Sequence, residues 1–67
     1  MELSARNQLK GKVKSLSLGT IMAEVTVDVG GHDIVAAITR SSVERLALSE
    51  GDDVTVVIKA TEVMLAR

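Results

Sequence analysis

Alternation of apolar and polar residues predicts several short strands. The clearest run is 21–29, where every second residue is apolar and most of those between are polar. A period of two is typical of a strand with one buried face. Gly30 and Gly31 follow and predict a hairpin turn, since glycine tolerates positive φ. The next strand, 34–38, is apolar on both faces, which predicts a central place in the sheet or a place at a subunit interface.

The same alternation begins at Leu9 and predicts a first strand. One face carries Leu9, Gly11 and Val13, and the other carries Lys10, Lys12 and Lys14. Such a row of lysines either binds along the phosphates of a nucleic acid or forms a solvated strand edge that discourages pairing with other strands. The second interpretation is favoured, because no aromatic residues are interleaved for base stacking. Residues 15–20 break the alternation and predict a turn.

A short helix is predicted after the third strand. Ser41 and Glu44 have the spacing of a capping box, with the serine at the N-cap and the glutamate three residues on. The apolar stripe of this helix would consist of Val43, Leu46 and Ala47. The polar segment 49–53 predicts the turn that follows the helix.

Alternation returns at Val54 and predicts a strand that ends at Lys59. Segment 60–62 predicts a kink, and segment 63–65 predicts a short final strand. Five strands with a helix between the third and the fourth is the element order of the OB-fold. The predicted fold is therefore all-β, a five-stranded OB-like Greek-key barrel with one short helix.

Composition predicts an assembly of several copies. The 67 residues suffice for one domain, 1–67, and they include no aromatic residue and no cysteine. Chains this small bury only about 60% of their unfolded surface and are marginally stable alone. Because 46% of the residues are apolar, more than one small core needs, we expect many of them to lie between subunits.

Charge and pattern argue against several classes of protein. The formal net charge is −1, whereas proteins that bind nucleic-acid phosphates usually carry a basic excess. Neither a signal peptide nor an apolar run of about 20 residues is recognisable. An enzyme is the least favoured class, because no nucleophile–base pair, metal-ligand cluster or phosphate-binding loop is recognisable in the sequence. His32, the single histidine, is interpreted as a polar hairpin residue.

Hydrogen-bond donors without nearby acceptors occur at four places in the sequence. They are Ser4 with Arg6 before the first strand, Thr39 at the end of the third, Ser42 in the first helical turn, and Lys59 with the backbone N–H of Ala60 after the fourth. Donors of this kind can hold a tetrahedral anion, aided by a helix N-terminus. Structural interpretations also exist: an exposed leader for 4–7, a cap for Ser42 and a solvated lysine for Lys59.

Three motifs make the chain similar to a known family. They are Ser4-Ala5-Arg6-Asn7-Gln8-Leu9-Lys10-Gly11, Ile38-Thr39-x-x-Ser42-Val43 and Val57-Ile58-Lys59-Ala60-Thr61-Glu62-Val63. In order and spacing they resemble the molbindins, which are the small molybdenum–pterin-binding or Mop proteins. They are also similar to the ligand-binding domains of molybdate-responsive regulators and of some molybdate-importer ATPases. The resemblance covers nearly the whole chain.

The resemblance implies an OB-like subunit, an N-terminal strand exchanged between subunits, and a homohexamer built as a trimer of dimers. It also implies that molybdate or tungstate is bound in sites shared between subunits. In such a site Ser4, Ala5 and Arg6 of one subunit would join Thr39, Ser42, Lys59 and Ala60 of a neighbour. Many relatives carry serine in place of Ala60, so here only the backbone N–H is left to contact the ion. Gly19 and Thr20 are candidates for a second site near a symmetry axis.

The chemistry of the donor set fits this ligand independently. Molybdate at neutral pH is a fully deprotonated dianion that only accepts hydrogen bonds, so it suits a site without carboxylates. Phosphate keeps a proton near pH 7 and needs an acceptor, whereas sulfate must be excluded by size. Charge-assisted bonds from Arg6 and Lys59 are about twice as strong as neutral ones. Direct pterin binding is not expected, because no aromatic residue is available to stack on the ring.

The sequence thus predicts a cytoplasmic protein that binds and stores or buffers molybdate or tungstate. Its predicted partners are its own copies and the oxyanion, with no nucleic acid and no membrane. An OB-fold nucleic-acid-binding module, a stand-alone regulatory ligand domain and a purely structural oligomer are the alternatives. The start at Met1 and the short tail favour a free-standing storage protein.

Overall fold

The structure, a computed structural model, describes residues 4–67 and contains one four-stranded antiparallel sheet and a short α-helix. The elements are β1 Asn7–Leu18, β2 Met22–Val29, β3 His32–Thr39, α1 Arg40–Arg45, β4 Asp53–Ile58 and a 3-10 helix Ala60–Glu62. The strands lie in the order β3-β2-β1-β4. The all-β prediction is therefore confirmed. No helix in this part of the chain is long and apolar enough to cross a membrane.

β1 is the longest strand and links the two halves of the sheet. Residues 7–12 pair with β4 and residues 12–18 pair with β2. The register shifts between Val13 and Ser15, as in a β-bulge, and bulges bend a strand and increase its twist. β1 therefore bends close to the point where it changes partner.

The bulge also explains why the predicted turn at 15–20 is wrong. Residues 15–18 continue β1, and only the short segment 19–21 forms the connection to β2. Before the bulge Val13 is buried, whereas after it Leu16 is the residue that turns inward. The extra residue moves the inward face from odd to even positions, so the alternation breaks while the strand continues.

The core lies between one face of β2 and the helix. Its buried residues are Val13, Ala23, Val25, Val27 and Val43. Ala23, Val25 and Val27 alternate along β2 with more exposed residues, as the period of two predicted. Val43 is the buried residue of α1. Leu46 and Ala47 were predicted to share its stripe, but both are exposed and lie just beyond the end of α1.

β3 is an edge strand, so the predicted central position of 34–38 is wrong. It pairs only with β2, and Val35 keeps 59% of its surface exposed. The apolar run supplies both faces of β3, and only one of these faces packs against the core. Ile34, Ala36 and Ile38 are half-buried, whereas Val35 and Ala37 face outward. The subunit interface foreseen for this run stays a prediction.

The C-terminal segment does not form the predicted fifth strand. The predicted kink at 60–62 is the 3-10 helix, and residues 63–65 then run without a strand partner among residues 4–67. Met64 is 91% exposed. A short apolar segment has no intrinsic preference for a ladder, and here nothing in residues 4–67 pairs with it.

Two lysines of β1 form ion pairs on the surface. Lys12 bonds Asp53 of β4 at 2.7 Å, and Lys14 bonds Asp33 of β3 at 3.0 Å. The hydrogen bond from Lys12 lowers the pKa of Asp53 and the same contact raises the pKa of Lys12. Any stability from this pair is therefore lost as pH falls through the pKa of Asp53 or rises through that of Lys12. The lysine face is solvated as predicted. The predicted edge position is wrong, because β1 is an inner strand that pairs with both β2 and β4.

Candidate functional site

The first group of candidate donors lies where β1 begins and β4 ends. Asn7 is opposite Ile58 in the ladder, so the segment that precedes β1 and the segment that follows β4 are neighbours. The residues of this group are Ser4, Ala5, Arg6, Lys59 and Ala60. The Asn7 side chain also donates to the carbonyl oxygen of Ile58 at 3.2 Å. This bond holds the start of β1 against the end of β4.

The N-terminal segment is anchored by its neighbours. Ala5 is buried, with 7% of its surface exposed. Its carbonyl oxygen accepts a hydrogen bond from the Gln8 side chain at 3.2 Å. Ser4 and Arg6 on either side of it are exposed. The segment therefore presents a hydroxyl and a guanidinium to solvent from a backbone held at Ala5, which an unanchored leader would not do.

The other half of this group is the turn after β4. Lys59 is the N-cap of the 3-10 helix, and its carbonyl oxygen accepts from the N–H of Glu62 at 2.9 Å. The Ala60 N–H lies in the first turn, where N–H groups have no intrahelical acceptor. Arg6 and Lys59 take part in none of the three ion pairs found within residues 4–67. Both cations are thus available to an anion.

The second group lies at the end of β3 and in α1. Thr39 is the N-cap of α1, and its Oγ1 accepts from the Ser42 N–H at 3.0 Å. The Thr39 hydroxyl also donates to Ser42 Oγ at 2.8 Å. The predicted capping box is therefore wrong by two residues, because Thr39 rather than Ser41 caps the helix. Glu44 accepts from Arg40 Nε at 3.2 Å instead of reaching back to a cap.

Arg45 is a residue of this group that the sequence analysis missed. Its Nη2 donates to Ser42 Oγ at 3.0 Å, so a guanidinium stands beside the two hydroxyls. Thr39, Ser42 and Arg45 are spaced by three residues, which places their side chains on one face of a helix. That spacing was the available signal.

The second-site candidates lie in the turn between β1 and β2. The Gly19 N–H donates to the carbonyl oxygen of Met22 at 2.8 Å, so it is already used within the turn. The Gly19 carbonyl oxygen accepts from Arg40 Nη1 at 3.3 Å, which ties the turn to α1. Thr20 is exposed beside it.

The two donor groups are placed at opposite ends of β1. The first adjoins Asn7, whereas Thr39 is opposite Met22, next to the turn that follows Leu18. Within residues 4–67, no hydrogen bond joins Arg6 or Lys59 to Thr39 or Ser42. One copy of the chain thus presents two separate sets of donors.

Among residues 4–67, no carboxylate is bonded to Ser4, Arg6, Thr39, Ser42 or Lys59. Thr39, Ser42 and Arg45 bond one another, and the carboxylate of Glu44 is turned to Arg40. No cluster of three or more His, Cys, Asp or Glu residues suited to a metal cation occurs in the described part of the chain. His32 is exposed at the start of β3. The arrangement is chemically suited to an anion that only accepts hydrogen bonds.

Comparisons with known proteins agree on one family. The profile of the TOBE domain family matches residues 3–65. Molybdenum-pterin-binding protein 1 of Clostridium pasteurianum is 52% identical over 66 residues, which is 97% of each chain. A molybdate-binding protein of Sporomusa ovata has a structure that matches with a TM-score of 0.96 and 45% identity over 100% of both chains.

A longer protein of known structure contains a similar unit. The cytoplasmic molybdate-binding protein ModG, determined with molybdate bound, matches with a TM-score of 0.85 and 43% identity. The match covers 90% of this chain and 43% of ModG. The chain therefore belongs to the TOBE domain family and, within it, to the molybdenum-pterin-binding proteins.

Proposed function

We propose that this protein binds molybdate or tungstate and stores or buffers the ion in the cytoplasm. The observation that carries the proposal is that Arg6 and Lys59 are exposed cations on neighbouring segments and lie outside the ion pairs of residues 4–67. Hydroxyl and N–H donors accompany them. The names of the similar proteins, which include a molybdate-bound ModG, point to the same ligand.

In this proposal each site is shared between subunits. An ion that touches both donor groups needs a second copy, because β1 separates the groups within one chain. The ligands would be Ser4, Ala5, Arg6, Lys59 and Ala60 at the start of β1, with Thr39 and Ser42 of another copy. Lys59 and Thr39 of the same copy lie at opposite ends of β1, so the two would not come from one neighbour as the resemblance implies. Gly19 and Thr20 would belong to a second kind of site. The ion would offset repulsion between the neighbouring cations and bridge two copies, so its binding would stabilise the assembly by mass action.

The proposed assembly is a homohexamer, a trimer of dimers with exchanged N-terminal strands. Each single-domain subunit, 1–67, would be an OB-like barrel completed by its neighbours. An apolar groove of about 240 Å³ between the β2–β3 face and β4 supports this, because it leaves Ile38 and Val56 accessible in one copy. Binding, rather than catalysis, is the role that such an assembly would serve.

Titration of the wild-type protein with four oxyanions tests the function. Molybdate and tungstate are expected to bind with similar affinity, because they are almost the same size and charge. Sulfate and phosphate are expected to bind at least roughly tenfold more weakly, a difference of about 1.4 kcal/mol. Isothermal titration calorimetry at one pH and ionic strength measures all four. Equal affinity for sulfate, or tight binding of a single-stranded oligonucleotide in the same experiment, would contradict the proposal.

The mass in solution tests the assembly. We expect a particle well above the 7.1 kDa of one chain, near six times that value. The physical reason is that large apolar side chains such as Ile21, Val35 and Met64 are exposed in a single copy, at 75%, 59% and 91%. Burial of apolar area between copies would add the stability that a small core lacks. Light scattering coupled to size-exclusion chromatography gives the mass, and a stable monomer would argue against shared sites.

A further inference from the structure

The hydroxyl oxygen of Ser42 receives two hydrogen bonds. Thr39 Oγ1 donates to it at 2.8 Å, and Arg45 Nη2 donates to it at 3.0 Å. A serine hydroxyl has two acceptor lone pairs and one proton. Arg45 therefore occupies one lone pair of Ser42 with a group that can only donate. The bond between the two hydroxyls can run in either direction, and because Thr39 Oγ1 also accepts from the Ser42 N–H, the hydroxyl pair keeps one proton and one lone pair for a ligand.

Arg45 is the part of this arrangement that cannot be reversed. A guanidinium has five N–H donors and no acceptor, and it stays protonated. A water molecule or a neutral side chain in its place could exchange the roles of donor and acceptor with Ser42. Arg45 thus keeps one acceptor position of Ser42 closed to a ligand, and it adds a positive charge on the same helical face.

We propose that Arg45 is a positioning and specificity-determining residue of the oxyanion site. By occupying one of the acceptor positions that the Thr39–Ser42 hydroxyl pair would otherwise offer a ligand, and by adding a positive charge, it shifts the site towards donors and so favours a fully deprotonated dianion over hydrogen phosphate. The proton of hydrogen phosphate needs an acceptor, and a donor that faces it leaves both groups unsatisfied, which is costly. This inference rests on the proposed function, with Ser42 as a ligand of the ion.

A purely structural role for Arg45 makes a different prediction. Arg45 is the basic residue in the last turn of α1, where a cation stabilises the helix macrodipole and an i,i+3 partner adds to helix stability. In that case its replacement would lower the thermal stability and leave the preference between anions unchanged. The affinity ratio between two anions therefore separates the two roles.

The test compares R45A and R45K with the wild type, each titrated with sodium molybdate and with sodium phosphate. In R45A the ratio of molybdate to phosphate affinity is expected to fall roughly tenfold, as for the loss of one charge-assisted hydrogen bond. R45K is expected to restore most of the ratio, because an ammonium group also only donates. K14Q is the charge-matched control, since Lys14 pairs with Asp33 at the other end of β3, and it should keep the wild-type ratio.

A double-mutant cycle with S42A keeps the test independent of stability. If Arg45 acts through Ser42, R45A should change the ratio in the wild-type background and leave it unchanged in the S42A background. Equal effects in both backgrounds, or an unchanged ratio in R45A beside a wild type that binds molybdate, would overturn the role of Arg45 alone. A wild type that binds no molybdate would overturn the proposed function and this inference with it.

Discussion

Replacing Arg6 or Lys59 by alanine is expected to weaken molybdate binding roughly 10- to 100-fold in each case, with the fold unchanged. Hydrogen bonds to charged groups contribute about 1.5–3 kcal/mol, and each 1.4 kcal/mol is a factor of ten in affinity. Both side chains are exposed and lie outside the ion pairs of the described residues. Their removal therefore takes binding groups from the site without opening the core.

Calorimetric titration with molybdate, alongside thermal unfolding of the ligand-free protein, checks this result. K10A is the matched control, because Lys10 is an exposed cation of β1 that is not among the candidate ligands. The double variant should lose less than the sum of the single free energies, since the two cations are neighbours and contact the same ion. Unchanged affinity in both single variants would remove the proposed site.

The β-bulge in β1 shows what the alternation of residues can and cannot predict. The core positions of β2 follow the period of two, and Ala23, Val25 and Val27 are buried as expected. In β1 one extra residue near Lys14 moves the inward face from Val13 to Leu16. A shift of one residue reverses every later side chain, so a continuous strand has the sequence pattern of a strand followed by a turn.

The start of α1 was misplaced because two competing caps are compatible with the local sequence. Ser41 and Glu44 have the spacing of a capping box, whereas Thr39 has only the spacing of a simple cap. The end of β3 decides between them. Thr39 keeps extended angles, φ −72° and ψ 148°, and its hydroxyl lies over the Ser42 N–H. The role of Arg45 follows from this choice and was invisible without it.

The candidate ligands were found through motifs, but their arrangement required the sheet. The chain places Arg6 beside Lys59 because Asn7 pairs with Ile58, and no local pattern in either segment contains that information. The separation of this group from Thr39 and Ser42 likewise results from the length of β1. Pairing between distant segments, and not residue type, determines which donors one copy brings together.

Replacing Gly11 by alanine is expected to destabilise the protein by about 2–3 kcal/mol, in the upper part of the usual range for overpacking. A Cβ at Gly11 would lie 2.5 Å from the carbonyl oxygen of Asp28 and 2.9 Å from a methyl group of Val29. Two of the groups it meets are thus a backbone oxygen and a branched side chain, and neither can move far. β1 would have to separate from β2 just where the pairing of Lys12 with Asp28 ends.

The loss of stability in G11A is best compared with the loss in G30A. Gly30 is constrained by its backbone conformation and not by close neighbours. A Cβ at Gly30 would meet nothing within 4 Å, but its φ is +57°, so alanine there costs about 1–2 kcal/mol from backbone strain alone. Denaturant unfolding of G11A and G30A at equal protein concentration, without oxyanion, separates the two costs. The steric cost at Gly11 should exceed the conformational cost at Gly30, because β1 has partners on both sides whereas the hairpin turn is open to solvent. Equal losses would mean that β1 does not approach β2 as closely as the sheet requires.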